Sequence, residues 1–122
     1  MKRMRVYVDT SVFGGCFDDE FREQSLMLMD MVKDGQIQML TSDLLLRELE
    51  MAPEKVKNLL LDLSDNDCAV ENIALSQEAE DLRNCYLDAE VVGKAQMNDA
   101  LHVALATVAR ADLIVSWKLL LR

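Results

Sequence analysis

Proline occurs once and glycine four times in 122 residues. Long loops and runs of tight turns are therefore scarce, and packed helices should dominate. Aromatic residues make up only 5%, against 51% hydrophobic residues in all, so the core must be Leu, Met, Val and Ala. No run approaches the roughly 18 apolar residues of a membrane span. The start, MKRMRVYVD, has basic residues but too short an apolar stretch for a signal peptide. Cys16, Cys68 and Cys85 are odd in number and lack metal-ligand spacing, which predicts reduced packing residues in a cytoplasmic protein. No Ser/His/Asp triad and no phosphate-cradling glycine loop can be assembled from the chain. Basic residues are the minority as well. The net charge of −9 argues against a broad nucleic-acid-binding face and leaves phosphate attraction to local patches or bound cations.

What the chain does have is three acids in places where a half-buried carboxylate needs a reason. Asp9 ends the apolar strand pattern in VYVDTS, Glu48 interrupts the inward stripe of a helix in SDLLLRELE, and Asp99 opens a nearly all-apolar helix in NDALHVALATVARA. A sheet that gathered them at one edge would hold an acidic pocket, tolerable mainly as a cation site. That implies metal-dependent chemistry on an anionic substrate.

The pattern predicts a single domain over residues 1–122. A first strand spans about residues 4–8, after which Gly14 and Gly15 begin a loop. A Met-rich helix follows over about residues 20–34, ending at Gly35, and a short strand over about residues 36–40. Residues 43–52 are helical, with Leu44, Leu45, Leu49 and Ala52 on one side and Asp43, Arg47 and Glu50 on the other. Pro53 breaks the chain and starts a helix carrying Val56, Leu59, Leu60 and Leu63. After the turn SDND, a third strand covers about residues 69–73, and Leu75, Ala79, Leu82, Tyr86 and Ala89 mark a fourth helix. The helix over about residues 98–111 is apolar nearly all round and should be covered, and residues 113–117 form the fourth strand. Strands alternating with helices imply an α/β fold, a doubly wound parallel sheet of about four strands with helices on both faces. In such sheets the site lies beyond the carboxyl ends of the strands, near a topological switch point. Asp9 stands at that end of the first strand.

Each acid also has a plainer explanation. Asp9 could only stop a strand and open a turn with Thr10 and Ser11. Glu48 shares the face of Leu44 and Leu45, so it points to the core side, where it could ligate a metal or pair with a core-edge Arg or Lys. Asp99 could complement the helix dipole, with Asn98 as cap. His102, one turn beyond Asp99, reads as a hydrogen-bonded histidine at the core edge, with no assigned role. The Met-dense run from Met27 to Met31 reads as core, or as part of a partner-binding groove.

Taken in order, VYVDTSVFGG, SDLLLRELE, VVGKAQMNDALHVALA and ADLIVSWK resemble the PIN-domain family, small ribonucleases that include VapC-type toxins of toxin–antitoxin pairs. The resemblance covers essentially the whole chain. It implies an endoribonuclease dependent on Mg²⁺ or Mn²⁺, with Asp9, Glu48 and Asp99 as catalytic, metal-binding acids. Thr10 and Ser11 match the small hydroxyl residues beside the first acid, and with Ser116 and Lys118 they are the candidate substrate-binding residues. The implied partners are RNA and an antitoxin protein.

The departure is at Lys118, where the family usually places a fourth Asp or Asn. An ammonium there would repel a second cation or bind substrate phosphate directly. Asp112 precedes the fourth strand, so it belongs at the opposite edge of the sheet. Arg122 ends the sequence where the family continues to a fifth strand, which implies a C-terminally shortened member with strand four as an apolar edge open to a second copy. The alternative function is a catalytically impaired PIN fold acting only in oligomerisation or partner binding. A phosphoacceptor receiver domain is set aside, because Thr10 follows Asp9 and no Asp lies between Ile73 and Ser76.

Overall fold

The computed structural model describes residues 3–64, 70–88 and 97–117, without the side chains of residues 64 and 97–99. Four strands, β1 (Met4–Val8), β2 (Ile37–Ser42), β3 (Val70–Ile73) and β4 (Leu113–Val115), form one sheet in the order β3-β2-β1-β4. Every pairing is parallel, with Met4 opposite Ile37, Val6 opposite Leu113 and Met39 opposite Val70. Six helices connect them: α1 (Thr10–Gly15), α2 (Arg22–Lys33), α3 (Asp43–Glu50), α4 (Glu54–Ser64), α5 (Gln77–Asp88) and α6 (Met97–Val108).

A parallel sheet must be covered on both sides, and the alternation along β1 shows how the sides divide. Val6 and Val8 face a cluster with Val12, Phe13, Met29, Leu45, Leu60 and Leu63, supplied by α1 to α4. Tyr7, with Leu40, faces the opposite cluster with Ala79, Leu101, Ala104 and Leu105 from α5 and α6. The doubly wound α/β architecture is thus as expected. The strand order also reverses at β1, which places a switch point between β1 and β4.

Several local expectations change. The loop expected from Gly14 is helical: α1 runs through both glycines. A Cβ on Gly15 would lie 2.6 Å from Ser25 Oγ and 2.8 Å from Trp117 Cδ1, so only glycine lets α2 and the chain after β4 come so close. α2 stops as expected, with Gly35 at φ +74° and the Gln36 N–H donating to the Met31 carbonyl at 2.9 Å. Of the Met-rich run, Met29 is core while Met27 is 59% exposed. β4 ends at Val115, two residues early, because Ser116 and Trp117 turn onto α1 and α2. Cys16 is buried and Cys85 exposed, both free thiols, while Cys68, Ala89 and most of the SDND turn lie outside the described residues. Among the described residues, no helix is long and apolar enough to cross a membrane.

Candidate metal centre

Strand pairing delivers the first acid. Asp9 follows β1 directly, and its N–H donates to the Val115 carbonyl at 3.0 Å, which fixes it at the carboxyl edge between β1 and β4. Its carboxylate is nearly buried. Oδ2 accepts from the Ser11 hydroxyl at 2.9 Å and from the Ser116 hydroxyl at 2.8 Å. Ser11 Oγ in turn accepts the Trp117 N–H at 3.0 Å, so the turn after β4 is pinned to the first turn of α1.

The second acid comes from α3. Ser42 ends β2 and caps α3, its hydroxyl accepting the Leu45 N–H at 3.1 Å. That cap sets the helix so that Glu48, three residues beyond Leu45, leans over the sheet edge toward Asp9. Glu48 Oε1 accepts from the Thr10 hydroxyl at 2.5 Å, and its side chain is 25% exposed. A cleft of about 250 Å³ opens over these groups, lined by Asp9, Thr10, Ser11 and Glu48.

His102 completes the arrangement, and its placement corrects the expected position at the core edge. The imidazole is wholly buried, with Nε2 2.6 Å from Glu48 Oε1 and 3.3 Å from Asp9 Oδ1. Nδ1 lies 2.6 Å from Tyr7 Oη, which is 2.7 Å from Ser42 Oγ. Burial pushes the Tyr7 phenol well above its ordinary range. The Ser42 hydrogen bond works against that shift, and the charges of Asp9 and Glu48 add to it. Tyr7 therefore stays a neutral hydroxyl within this chain of contacts. The sequence offered one signal for His102: it lies three residues from Asp99 on the same helix face. It offered none for Tyr7 or Ser42.

Asp99 sits near the start of α6, but its side chain lies outside the described residues, as does Lys118. Thr10, Ser11 and Ser116 all come to the cluster, where their hydroxyls hold Glu48 and Asp9. Asp112 lies at the other edge of the sheet, as expected, with its carboxylate accepting the Arg5 N–H at 2.7 Å.

One donor atom from each of Asp9, Glu48 and His102 can be chosen so that all lie within 4.8 Å of one another. Two full negative charges that close repel by about 3 kcal/mol at an effective dielectric near 20. A divalent cation would turn that repulsion into attraction. Paired carboxylate oxygens are hard donors that suit Mg²⁺ or Mn²⁺, while the imidazole would add a ligand better suited to later transition metals. The residues present fit a small divalent cation.

No family model matches the sequence, and no curated protein matches it. Among solved structures, the chain is similar to VapBC2 from Rickettsia felis, whose crystal structure was determined bound to a DNA fragment from their promoter. Identity is 18%, the TM-score is 0.59, and the match covers 92% of this chain and 87% of that chain. At such identity the likeness is one of fold. The four-strand parallel α/β architecture is PIN-like, the fold that the sequence resemblance implied.

Proposed function

We propose that this chain is a Mg²⁺- or Mn²⁺-dependent endoribonuclease of the kind that serves as the toxin in toxin–antitoxin pairs. The observation that supports it most is the convergence of a nearly buried Asp9 and a partly exposed Glu48 at the sheet's switch point, beneath an open cleft. Asp9, Glu48 and Asp99 are the proposed ligands. A cation bound there would activate water and stabilise charge on a phosphodiester in the transition state.

The chain's own residues prepare for that chemistry. Ser11 and Ser116 hold one oxygen of Asp9, and Thr10 holds one oxygen of Glu48, so the carboxylates need little reordering when a cation arrives. Phosphate would enter from the cleft side, and Lys118 is proposed as a residue that binds it. With a net charge of −9, attraction of RNA depends on the cation itself.

A second reading, partner binding without catalysis, draws on the surface of α3 and α4. A groove of about 300 Å³ there is lined by Leu46, Leu49, Glu50, Lys57, Leu60 and Leu61, and Leu61 is 62% exposed. An antitoxin-like protein segment would cover such a groove, so the two readings are compatible for a toxin. Cleavage separates them. Wild-type chain with Mn²⁺ should cut single-stranded or structured RNA, and Asp9→Asn should lose at least about a hundredfold in rate. Equal cleavage by both proteins would mean a contaminating nuclease. No cleavage by either would leave partner binding as the function.

A further inference from the structure

His102 touches both acids of the cluster, so it could serve them as a third ligand or as a donor. The hydrogen-bond chain behind it decides between these. The Ser42 hydroxyl accepts the Leu45 N–H, and among the described residues its other partner is Tyr7. Its own hydrogen must therefore go to Tyr7 Oη. Tyr7 contacts Ser42 and His102, so the phenol hydrogen goes to His102 Nδ1. With Nδ1 accepting, the imidazole hydrogen is on Nε2, between Glu48 Oε1 at 2.6 Å and Asp9 Oδ1 at 3.3 Å. The hydrogens thus run in one direction, from Ser42 to Tyr7 to His102 and on to the two carboxylates.

We propose that His102 is a positioning residue that holds Glu48 and Asp9 through its Nε2–H and is not itself a cation ligand. The inference rests on the reading of the cluster as a cation centre. A cation on Nε2 would force the ring hydrogen to Nδ1, so that Tyr7 accepts from His102 and donates to Ser42. Ser42 would then accept twice, with its own hydrogen lacking an acceptor among the described residues at a site with no solvent exposure. The wiring opposes that state. It is the reverse of the common arrangement, in which a carboxylate orients a metal-bound histidine. Here a histidine orients the carboxylates.

Because the chain contains a single histidine, long-range ¹H–¹⁵N correlation spectra of the ¹⁵N-labelled full chain report on His102 without further assignment. The Nε2–H tautomer is expected in the metal-free protein and again at saturating Mg²⁺. Nδ1–H in the metal-free protein, or a change to Nδ1–H on adding Mg²⁺, would overturn the inference. Calorimetric titration with Mn²⁺ supplies the functional readout. His102→Leu should bind about tenfold to a hundredfold more weakly, and His102→Gln, which keeps an N–H donor near the Nε2 position, should recover part of the loss. Unchanged affinity in His102→Leu would count against a positioning role. If the wild-type chain binds neither cation, the cation-centre reading falls, and the metal-free spectrum alone still decides the tautomer.

Discussion

At the scale of single residues, the site depends on side chains that no local pattern marks. Tyr7 is one of the inward residues of β1, yet its hydroxyl links Ser42 to His102 across 35 and 95 residues of sequence. His102 reaches Glu48 across 54. Periodicity reports which face a residue occupies, not which distant residue it meets, so Asp9 and Glu48 were legible and this network was not. The Tyr7 phenol has a testable consequence. Its folded-state pKa is raised, so its contribution to stability is complete below the ordinary phenol value near 10 and is lost as pH rises above it. Chemical denaturation between about pH 9 and 11.5 should show a shallower alkaline loss of stability in Tyr7→Phe than in wild type. Equal slopes would mean the phenol ionises as freely as in the unfolded chain. Gly15 gives a steric counterpart. Its Cβ position is occupied by Ser25 and Trp117, so Gly15→Ala should destabilise the fold by about 1–3 kcal/mol in urea titrations.

At the scale of elements, α2 to α6 were legible because each turns apolar side chains toward the sheet, although in α5 only Ala79 is fully buried. α1 escaped for a physical reason. It has only six residues and two glycines, so intrinsic propensity argues against a helix. Burial of Val12 and Phe13 in the core overrides that propensity. β4 was overestimated for a related reason: Ser116 and Trp117 look like strand residues, but hydrogen bonds to Asp9 and Ser11 draw them out of the sheet. α3 has the most consequential terminus, since the Ser42 cap both starts the helix that carries Glu48 and feeds the Tyr7 hydroxyl. Ser42→Ala should cost about 1–2 kcal/mol, near the upper end for an N-cap, because Tyr7 loses its donor as well. A loss of only a few tenths by thermal or urea unfolding would show that the cap and the relay are not shared.

At the scale of the whole molecule, the sheet order puts β1 at the switch point and β4 at an edge. Among the described residues no strand lies beyond β4, and its Leu113 is 51% exposed. A pairing edge of this kind is expected to take up a second copy, giving a dimer by light scattering at high micromolar concentration. A monodisperse monomer under those conditions would contradict that expectation. The net charge of −9 adds self-repulsion that bound cations would relieve. If the switch point holds a divalent cation against Asp9 and Glu48, as proposed, titration of the metal-free chain with Mn²⁺ in a calorimeter will register it. Saturable binding that disappears in Asp9→Asn and weakens in Glu48→Gln is the predicted result. Heats from wild type that match the Asp9→Asn control would contradict it.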